Sequence, residues 1–307
     1  MTPPDDFNPP VGVAEDLGGD IRRVLAPNPS PMTYRGTNTY LLGTRALAVI
    51  DPGPDDTDHL NAILGALEPG QTISHIFVTH AHIDHSPLAA RLSDKTGAAV
   101  LAYGDSSAGR SAVMQHLATS GLVGGGEGVD LGFAPDVCLA DGEVSHGDGW
   151  SLTTHWTPGH FGNHVCFQSG DALFVGDLVM GWASSLVSPP DGDLTDFMAS
   201  CHKIRALDAQ VYHSGHGAPI ADPAARMDWL IAHRRTRETS ILEHLAKGPA
   251  TAEALTALIY TDTPATLMRA AVRNVLAHLV DLHVRGLAQS TQPLSEGASF
   301  TLTPPHV

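Results

Sequence analysis

The sequence predicts an α/β (α+β) fold in which two β-sheets are sandwiched between helices and a small winged-helix-like region follows. Short β-rich runs alternate with stretches of helical spacing through most of the 307 residues. Several of these runs end in His, Asp and Gly, and the ends of strands in α/β sheets are where ligands bind. From residue 223 the pattern changes to long helical stretches rich in Ala and Arg.

These features divide the chain into three predicted parts. Residues 1–20 are rich in Pro, Asp and Gly, which predicts a flexible lead-in. Residues 21–222 form the main α/β region, and residues 223–307 form the helical region.

Turn signals and hydrophobic periodicity place the individual elements of the main region. Strands are predicted at 39–43, 47–51, 76–79, 137–139, 152–157, 164–168 and 172–175, and helices at 60–67 and 86–92. The first two strands form a hairpin pair. The first helix ends before Pro69-Gly70, and the second has Pro87 in its first turn, where proline is well tolerated.

The C-terminal region has the outline of a winged helix. Apolar spacing predicts a helix from 223 to about 245, and Thr251 is suited to cap the start of a second. A third helix is predicted from 263 to about 284, and two short strand-like runs near 288 and 301 would form the wing. Three helices followed by a hairpin are therefore expected.

Composition limits the class of protein. No run reaches the roughly 18 apolar residues that a membrane span needs, and the N-terminus lacks the basic start and apolar run of a secretory signal. We therefore predict a cytoplasmic protein with no membrane partner. Three widely separated cysteines, at 138, 166 and 201, do not form a disulfide framework and are expected to behave as small buried hydrophobes.

The net charge of −16 is unevenly distributed along the chain. Residues 1–222 have 9 basic and 26 acidic side chains, a net −17, whereas residues 223–307 have 8 and 7, a net +1. An acidic main region repels polyanions at long range. The charge distribution therefore disfavours tight, non-specific binding of nucleic acid.

The most informative segment is His80-Ala81-His82-Ile83-Asp84-His85, which follows an apolar strand. Later strands end at His160, Asp177 and His216, each beside glycines that let the backbone bend sharply. Imidazoles and carboxylates that face one small volume are the ligands of divalent transition metals. A solvated His-rich loop would explain the first segment alone, but not the three later ones.

In this order, these residues resemble the metallo-β-lactamase-fold hydrolases, over most of residues 20–222. The matched pattern is His-x-His-x-Asp-His, then His, then Asp, then Gly-His-Gly. The resemblance implies that one metal is held by His80, His82 and His160, that a second is held by Asp84, His85 and His216, and that Asp177 bridges them. Ser214 stands where many relatives have Pro, which alters the stiffness of the loop and not the ligation.

The resemblance implies two divalent metal ions, zinc foremost, although iron and manganese also accept this ligand set. Two such ions about 3.5–4 Å apart supply hydroxide near neutral pH by lowering the pKa of a bridging water. Asp84 is the expected catalytic residue, because its carboxylate can orient the nucleophile and accept its proton. His164 would either contact substrate or brace a metal ligand, and Asp51 would fix a loop that carries ligands.

A finer resemblance, to the lactamase-beta-like branch, comes from residues 28–40 together with the C-terminal region. That branch includes endoribonucleases that act on single-stranded RNA. The Pro-rich part of residues 28–40 would be a loop at the edge of the site, or a rigid turn with a purely structural role.

The function that we predict is hydrolysis of an ester, thioester, lactone or amide in a small-molecule substrate, which the acidic main region favours. An endoribonuclease or phosphodiesterase that acts on single-stranded RNA is the alternative. The winged helix and Arg234-Arg235-Thr236-Arg237 favour that alternative, whereas an aromatic content of 6% offers few stacking platforms for RNA.

Two further alternatives stay open. A sulfur dioxygenase with a single iron would use only some of the ligands. A winged helix that binds DNA or a partner beside a vestigial metal site is disfavoured, because all seven ligand positions are retained. A homo-oligomer is compatible with the sequence.

Overall fold

The computed structural model describes residues 6–122, 124 and 128–304. The strands are β1 Ala14–Gly18, β2 Ile21–Leu25, β3 Asn38–Leu42, β4 Ala46–Ile50, β5 Thr72–Phe77, β6 Ala99–Ala102, β7 Val137–Cys138, β8 Val144–His146, β9 Ser151–Trp156, β10 Val165–Ser169, β11 Ala172–Gly176, β12 Val211–Ser214, β13 Ala288–Ser290 and β14 Phe300–Leu302. The helices are α1 Thr57–Gly65, α2 Leu88–Thr96, α3 Ala112–Thr119, α4 Leu194–Arg205, α5 Pro223–Leu245, α6 Ala252–Ile259 and α7 Met268–Val284, with a 3₁₀ turn at Ala265–Leu267.

Seven strands form the first sheet, in the order β1-β2-β3-β4-β5-β6-β7. Neighbours are antiparallel from β1 to β4 and parallel from β4 to β7. Side chains of β4 alternate between the two faces of the sheet: Leu47 and Val49 pack against α1 and α2, whereas Ala48 and Ile50 face the second sheet. The predicted hairpin pair is confirmed as β3 and β4.

The second sheet has five strands in the order β12-β11-β10-β9-β8. They are antiparallel from β8 to β11, and β12 is parallel to β11. Aromatic side chains fill the layer between the sheets, and the ring centroids of Phe77 and Phe167 are 5.2 Å apart. Helices α4 and α5 cover the outer face of the second sheet. The predicted arrangement of two sheets between helices is therefore confirmed.

The structure corrects the prediction of a flexible lead-in. Within residues 6–20, β1 pairs with β2, the Phe7 ring is buried and Val11 bridges to the end of β2. Glycines there make turns between short paired segments, as at Gly18, which has a positive φ of 81°. The composition of this segment predicted turns, which the structure contains, and flexibility, which the pairing of β1 with β2 contradicts. Residues 1–5 of the lead-in lie outside the described residues.

Helix α5 belongs to two hydrophobic cores. Its first half places Met227 and Leu230 in the core beneath the second sheet, and its second half places Ile241 and Leu245 in a C-terminal core. That C-terminal core contains α6, α7 and the β13–β14 hairpin, which is the predicted winged-helix outline. The boundary between the two cores therefore lies in the middle of α5, whereas the change to a long helical pattern in the sequence lies at the start of this helix.

The C-terminal core also includes α3, an element that periodicity did not predict. Met114 and Leu117 of α3 belong to the same core as residues of α5, α6 and α7. Among the described residues, the helices are too short or too polar to cross a membrane.

Candidate metal centre

The ends of four strands meet at one edge of the two sheets. The segment 80–85 follows β5 of the first sheet, and His160, Asp177 and His216 follow β9, β11 and β12 of the second. Strands β9 and β11 are both antiparallel to β10, and β12 is parallel to β11, so these three strands end on the same side. Face-to-face packing of the sheets then brings all seven predicted residues together.

The donor atoms of these residues form overlapping groups, and within each group they lie within 4.8 Å of one another. In one group, the Nδ1 atom of His82 is 2.9 Å from His80 Nε2 and 3.3 Å from His160 Nε2. In another, the Oδ2 atom of Asp84 is 3.2 Å from His216 Nε2 and 3.6 Å from His85 Nε2. Each group has the size of a site for one metal ion.

Asp177 lies between the two groups. Its Oδ1 atom is 3.5 Å from His85 Nε2, and its Oδ2 atom is 3.7 Å from His160 Nε2 and 3.5 Å from His216 Nε2. A carboxylate in this position can contribute an oxygen to each of two ions.

Four of the five imidazoles have a hydrogen-bond partner for the ring nitrogen that faces away from the centre. The partners of Nδ1 are Thr79 Oγ1 for His80, Asp51 Oδ2 for His85, the Leu186 carbonyl for His160 and the Gly36 carbonyl for His216, at 2.7–3.1 Å. Such bonds fix the orientation and tautomer of metal-binding histidines.

Burial and neighbouring charges set the ionisation of these groups. Burial, reinforced by the other histidines, lowers the pKa of His80 well below its ordinary value, and burial lowers that of His82 to about 3. Burial alone would raise the pKa of Asp177, but the His216 imidazole holds it well below its ordinary value. Burial would lower the pKa of His216, but carboxylates, led by Asp177, raise it to about 9. Neutral imidazoles and ionised carboxylates are the metal-binding forms, so His216 would bind a divalent cation after loss of its proton.

Two further observations agree with metal binding at this cluster. His85 Nε2 and Asp177 Oδ1 are buried and have no hydrogen-bond partner among the described residues. Unpaired buried polar atoms are costly, and coordination satisfies both. At Gly215, a Cβ atom would overlap Asp177 Oδ1 and lie 2.7 Å from His85 Cε1. Any side chain at position 215 would therefore push Asp177 or His85 out of place, and glycine does not.

His164 lies beneath this cluster and does not line the cavity that opens onto it. Its Nδ1 atom is 2.9 Å from Thr157 Oγ1, and its Nε2 atom accepts a hydrogen bond of 3.2 Å from the Asp177 backbone N–H. Both ring nitrogens are therefore occupied by protein groups. The geometry goes against the interpretation as a substrate contact and favours a brace for Asp177.

Two buried asparagines, which were given no role from the sequence, form hydrogen bonds to the backbone of the site. Asn163 Oδ1 accepts a hydrogen bond from the Ala81 N–H, between two of the histidines. Asn38 Nδ2 donates to the carbonyls of Ser214 and Gly217, on either side of His216. Both asparagines lie in segments that the motifs cover, so their positions were visible in the sequence but their partners were not.

The orientation of His160 depends on the C-terminal region. The Leu186 carbonyl bonded to His160 is followed by Val187, whose N–H donates to Asn274 Oδ1 of α7 at 3.0 Å. Arg234 of α5 donates to the same Asn274 oxygen at 2.8 Å and also to a carbonyl of this loop. No sequence pattern links these residues, because the partners in the two regions are more than 40 positions apart in the chain.

A cavity of about 320 Å³ opens onto the cluster. Its lining includes five residues of the cluster (His82, Asp84, His160, Asp177 and His216), the apolar residues Pro31, Met32, Met180, Trp182, Leu186, Trp229 and Leu267, and the polar residues His233, Arg237 and Tyr260. The Pro-rich loop at the edge of the site is thus confirmed by Pro31 and Met32. The winged-helix region forms part of the wall, and His233 of α5 lines the cavity.

The fold, the two-group cluster and the cavity define a class of metallohydrolases, and comparison with known proteins identifies the same class. Residues 32–216 match the model of the metallo-β-lactamase superfamily, and residues 251–293 match that of the β-lactamase-associated winged helix domain. The chain belongs to the metallo-β-lactamase superfamily, as a hydrolase with an appended winged helix.

Similar proteins span nearly the whole chain. A β-lactamase-like protein 2 homolog of Drosophila melanogaster is 30% identical over 91% of this chain and 93% of its own length. An atrochrysone carboxyl ACP thioesterase of Aspergillus terreus is 29% identical over 79% of this chain and 68% of its own. The crystal structure of a metallo-β-lactamase family protein from Thermus thermophilus is 26% identical, has a TM-score of 0.74 and covers 94% of this chain and 100% of that one.

Proposed function

We propose that this protein is a binuclear metal-dependent hydrolase that cleaves a thioester or ester of a small organic molecule, within the predicted class that also includes lactones and amides. The observation that carries the proposal is the cavity, because residues of the candidate metal centre line it and its walls are mostly apolar. Apolar walls favour an organic acyl group over a polynucleotide backbone. The similarity to a fungal ACP thioesterase supports the same class of bond.

The proposal assigns the seven converging residues as ligands. His80, His82 and His160 would hold one ion, Asp84, His85 and His216 the other, and Asp177 both. Five imidazoles favour zinc, and iron or manganese would accept the same donors. When bound, two such ions activate water as the nucleophile and polarise the scissile carbonyl.

Asp84 is suited to accept a hydrogen bond or a proton from the nucleophile. Its side chain is 20% exposed, whereas that of Asp177 is 9% exposed, and it lines the cavity. Burial alone would raise the pKa of Asp84, but His85 and His216 hold it below its ordinary value. Its carboxylate is therefore ionised at neutral pH and can accept a hydrogen bond or a proton from the attacking group.

The proposal is tested by measuring metal content and hydrolysis in His82→Ala and Asp177→Ala, with His116→Ala on the exposed side of α3 as a control. We expect two metal equivalents per chain in the parent and in the control. Both site variants should lose metal and activity together while their far-ultraviolet circular dichroism stays unchanged. Full turnover in either site variant, or after exhaustive chelation of the parent, would contradict the proposal.

A substrate panel separates the alternatives. It compares thioesters, esters, lactones, bis-p-nitrophenyl phosphate and single-stranded RNA on the metal-loaded protein. Preferential cleavage of thioesters or esters supports the proposal. Preferential cleavage of RNA would replace it with the endoribonuclease, and one equivalent of iron with oxidation of a persulfide would replace it with the sulfur dioxygenase.

A further inference from the structure

The basic run Arg234-Arg235-Thr236-Arg237 does not form a continuous surface. Residues on a helix are rotated by about 100° from one to the next, so the three guanidinium groups have different environments. Arg234 is buried and bonded to Asn274, and Arg235 is exposed to solvent. Arg237 is partly buried and lines the cavity. The run therefore presents one arginine to solvent and another to the candidate substrate site.

Arg237 is held in place without a counter-ion. Its guanidinium carbon lies 4.4 Å from the centroid of the Tyr260 ring, and its Nη1 atom donates to the Ile259 carbonyl at 3.2 Å. Its Nε atom is buried and has no hydrogen-bond partner, and no carboxylate lies within ion-pair distance, in the part of the chain that the structure describes. A fixed guanidinium group with unused donor capacity is a binding group for carboxylate or phosphate.

The cavity wall around Arg237 favours an anion. Among the described residues that line the cavity, the only carboxylates are Asp84 and Asp177, both in the candidate metal centre. Burial, then Arg234 and Arg237, lower the pKa of His233 to about 4, so this imidazole is neutral at pH 7 and donates or accepts hydrogen bonds without a charge. Of the lining residues that the structure describes, Arg237 is then the only Arg or Lys side chain, in a protein whose net charge is −16.

We infer that Arg237, with His233 and Tyr260, forms an anion-binding subsite of the cavity, and that the substrate carries a carboxylate or phosphate in addition to its scissile carbonyl. This inference rests on the proposed function. Arg237 and the candidate metal centre line the same cavity, and most of the other lining residues are apolar. The anion belongs either to the acyl group or to the leaving thiol.

Two pairs of thioesters, each differing by one anionic group, distinguish the two sources. For the acyl side, glutaryl and pentanoyl thioesters of N-acetylcysteamine are compared. For the leaving-group side, pentanoyl thioesters of pantetheine 4′-phosphate and of pantetheine are compared. The proteins are the metal-loaded full chain, Arg237→Gln, Arg237→Lys and Arg235→Gln, the last a matched control on the exposed face of α5.

In one of the two pairs, we expect the anionic member to have the lower KM. Arg237→Gln should raise that KM by about 10- to 100-fold, the effect of losing one charge-assisted contact, and should change the kcat and KM of the neutral member much less. Arg237→Lys should retain part of the preference, and Arg235→Gln all of it. An equal effect of Arg237→Gln on charged and neutral members, or no effect on either pair, would overturn the inference.

A binding measurement keeps the inference separate from the proposed function. Trp182 and Trp229 line the cavity, so tryptophan fluorescence reports occupancy. The probes are pantetheine 4′-phosphate against pantetheine, and glutaramate against glutaramide. If no thioester is hydrolysed but one anionic probe binds more tightly and Arg237→Gln abolishes the difference, the proposed reaction fails and the subsite stands. Equal binding of both members of each pair by the parent protein would contradict the anion-binding subsite itself.

Discussion

Asp51 shows how one side chain can stabilise the candidate metal centre without being a ligand. Its Oδ1 atom accepts a hydrogen bond of 2.7 Å from the Thr79 N–H, and its Oδ2 atom accepts bonds from the Thr79 hydroxyl and from His85 Nδ1 at 2.8 and 2.9 Å. It thereby fixes both the end of β5 and the ring of a ligand. The residue is buried and has a positive φ of 51°, which Asp and Asn adopt more readily than most residues.

Asp51→Asn should therefore keep the backbone conformation and lose the negative charge that orients His85. We expect the metal affinity to fall about 10- to 100-fold, the usual effect of removing an outer partner of a ligating histidine. Competition with a chromogenic chelator measures this affinity. Asp148→Asn, in an exposed ion pair with Arg45, is the control, and equal affinities in the two variants would refute the role of Asp51.

At the scale of elements, the connection between β11 and α4 is shaped by the winged-helix region. Arg234 of α5 and Asn274 of α7 bond to this loop on either side of the Leu186 carbonyl that orients His160. Arg273 of α7 also donates to Ser188 Oγ at 2.8 Å. The C-terminal helices thus contribute to the geometry of a ligand as well as to the wall of the cavity.

Asn274→Ala should leave two buried donors, the Val187 N–H and an Arg234 N–H, without their shared acceptor. Each unpaired buried donor costs about 1–3 kcal/mol, so we expect a drop of a few kcal/mol in the free energy of unfolding, together with weaker metal binding. Urea unfolding and metal titration measure the two effects.

Thr195→Ala is the matched control for this change. It removes the 2.6 Å hydrogen bond from Thr195, at the start of α4, to Asp281 of α7, and it leaves the bonds of Arg234 and Asn274 to residues 185–187 in place. We expect it to lower stability and leave metal affinity unchanged. Parallel losses of metal affinity in Asn274→Ala and Thr195→Ala would show that general loosening of α7, and not the loop contact, is responsible.

For the whole molecule, buried neutral histidines couple folding to pH. Burial lowers the pKa of His59 and of His213 to about 4, and that of His278 well below its ordinary value. In the unfolded chain each would titrate near 6.5. The unfolded state therefore binds more protons below that pH, so the stability is fully present above pH 6.5 and is lost as the pH falls towards 4.

His59→Gln should make the fold less sensitive to acid. Gln can retain the hydrogen bond to Thr39 that His59 Nε2 makes at 2.8 Å, and it does not titrate. Between pH 7 and pH 5, we expect the parent to lose about 2 kcal/mol more stability than the variant, from a folded pKa near 4. Urea unfolding of both proteins at the two pH values measures the difference. An identical pH dependence would show that His59 does not contribute.

Periodicity was a sufficient guide to the fold where local signals were strong. Short β-rich runs alternating with stretches of helical spacing predicted the layers, and apolar spacing predicted α5, because each face of a strand or helix must be buried against something. Helix α3 was not predicted, since Met114 and Leu117 pack against residues more than 120 positions away. The prediction of a flexible lead-in was wrong for a related reason. Pairing of β1 with β2 overrides the preference of a Pro- and Gly-rich segment for turns.

The sequence by itself determined the family and predicted the seven side chains that the structure brings together, because residue types that can bind metal are few and follow strand ends in a fixed order. Only the tertiary structure decided that His164 braces Asp177, that Asn274 and Arg234 support the loop of His160, and that Arg237 faces the cavity. These roles depend on distances between residues that are far apart in the chain. No local pattern records such distances, because the packing of helices onto sheets sets them.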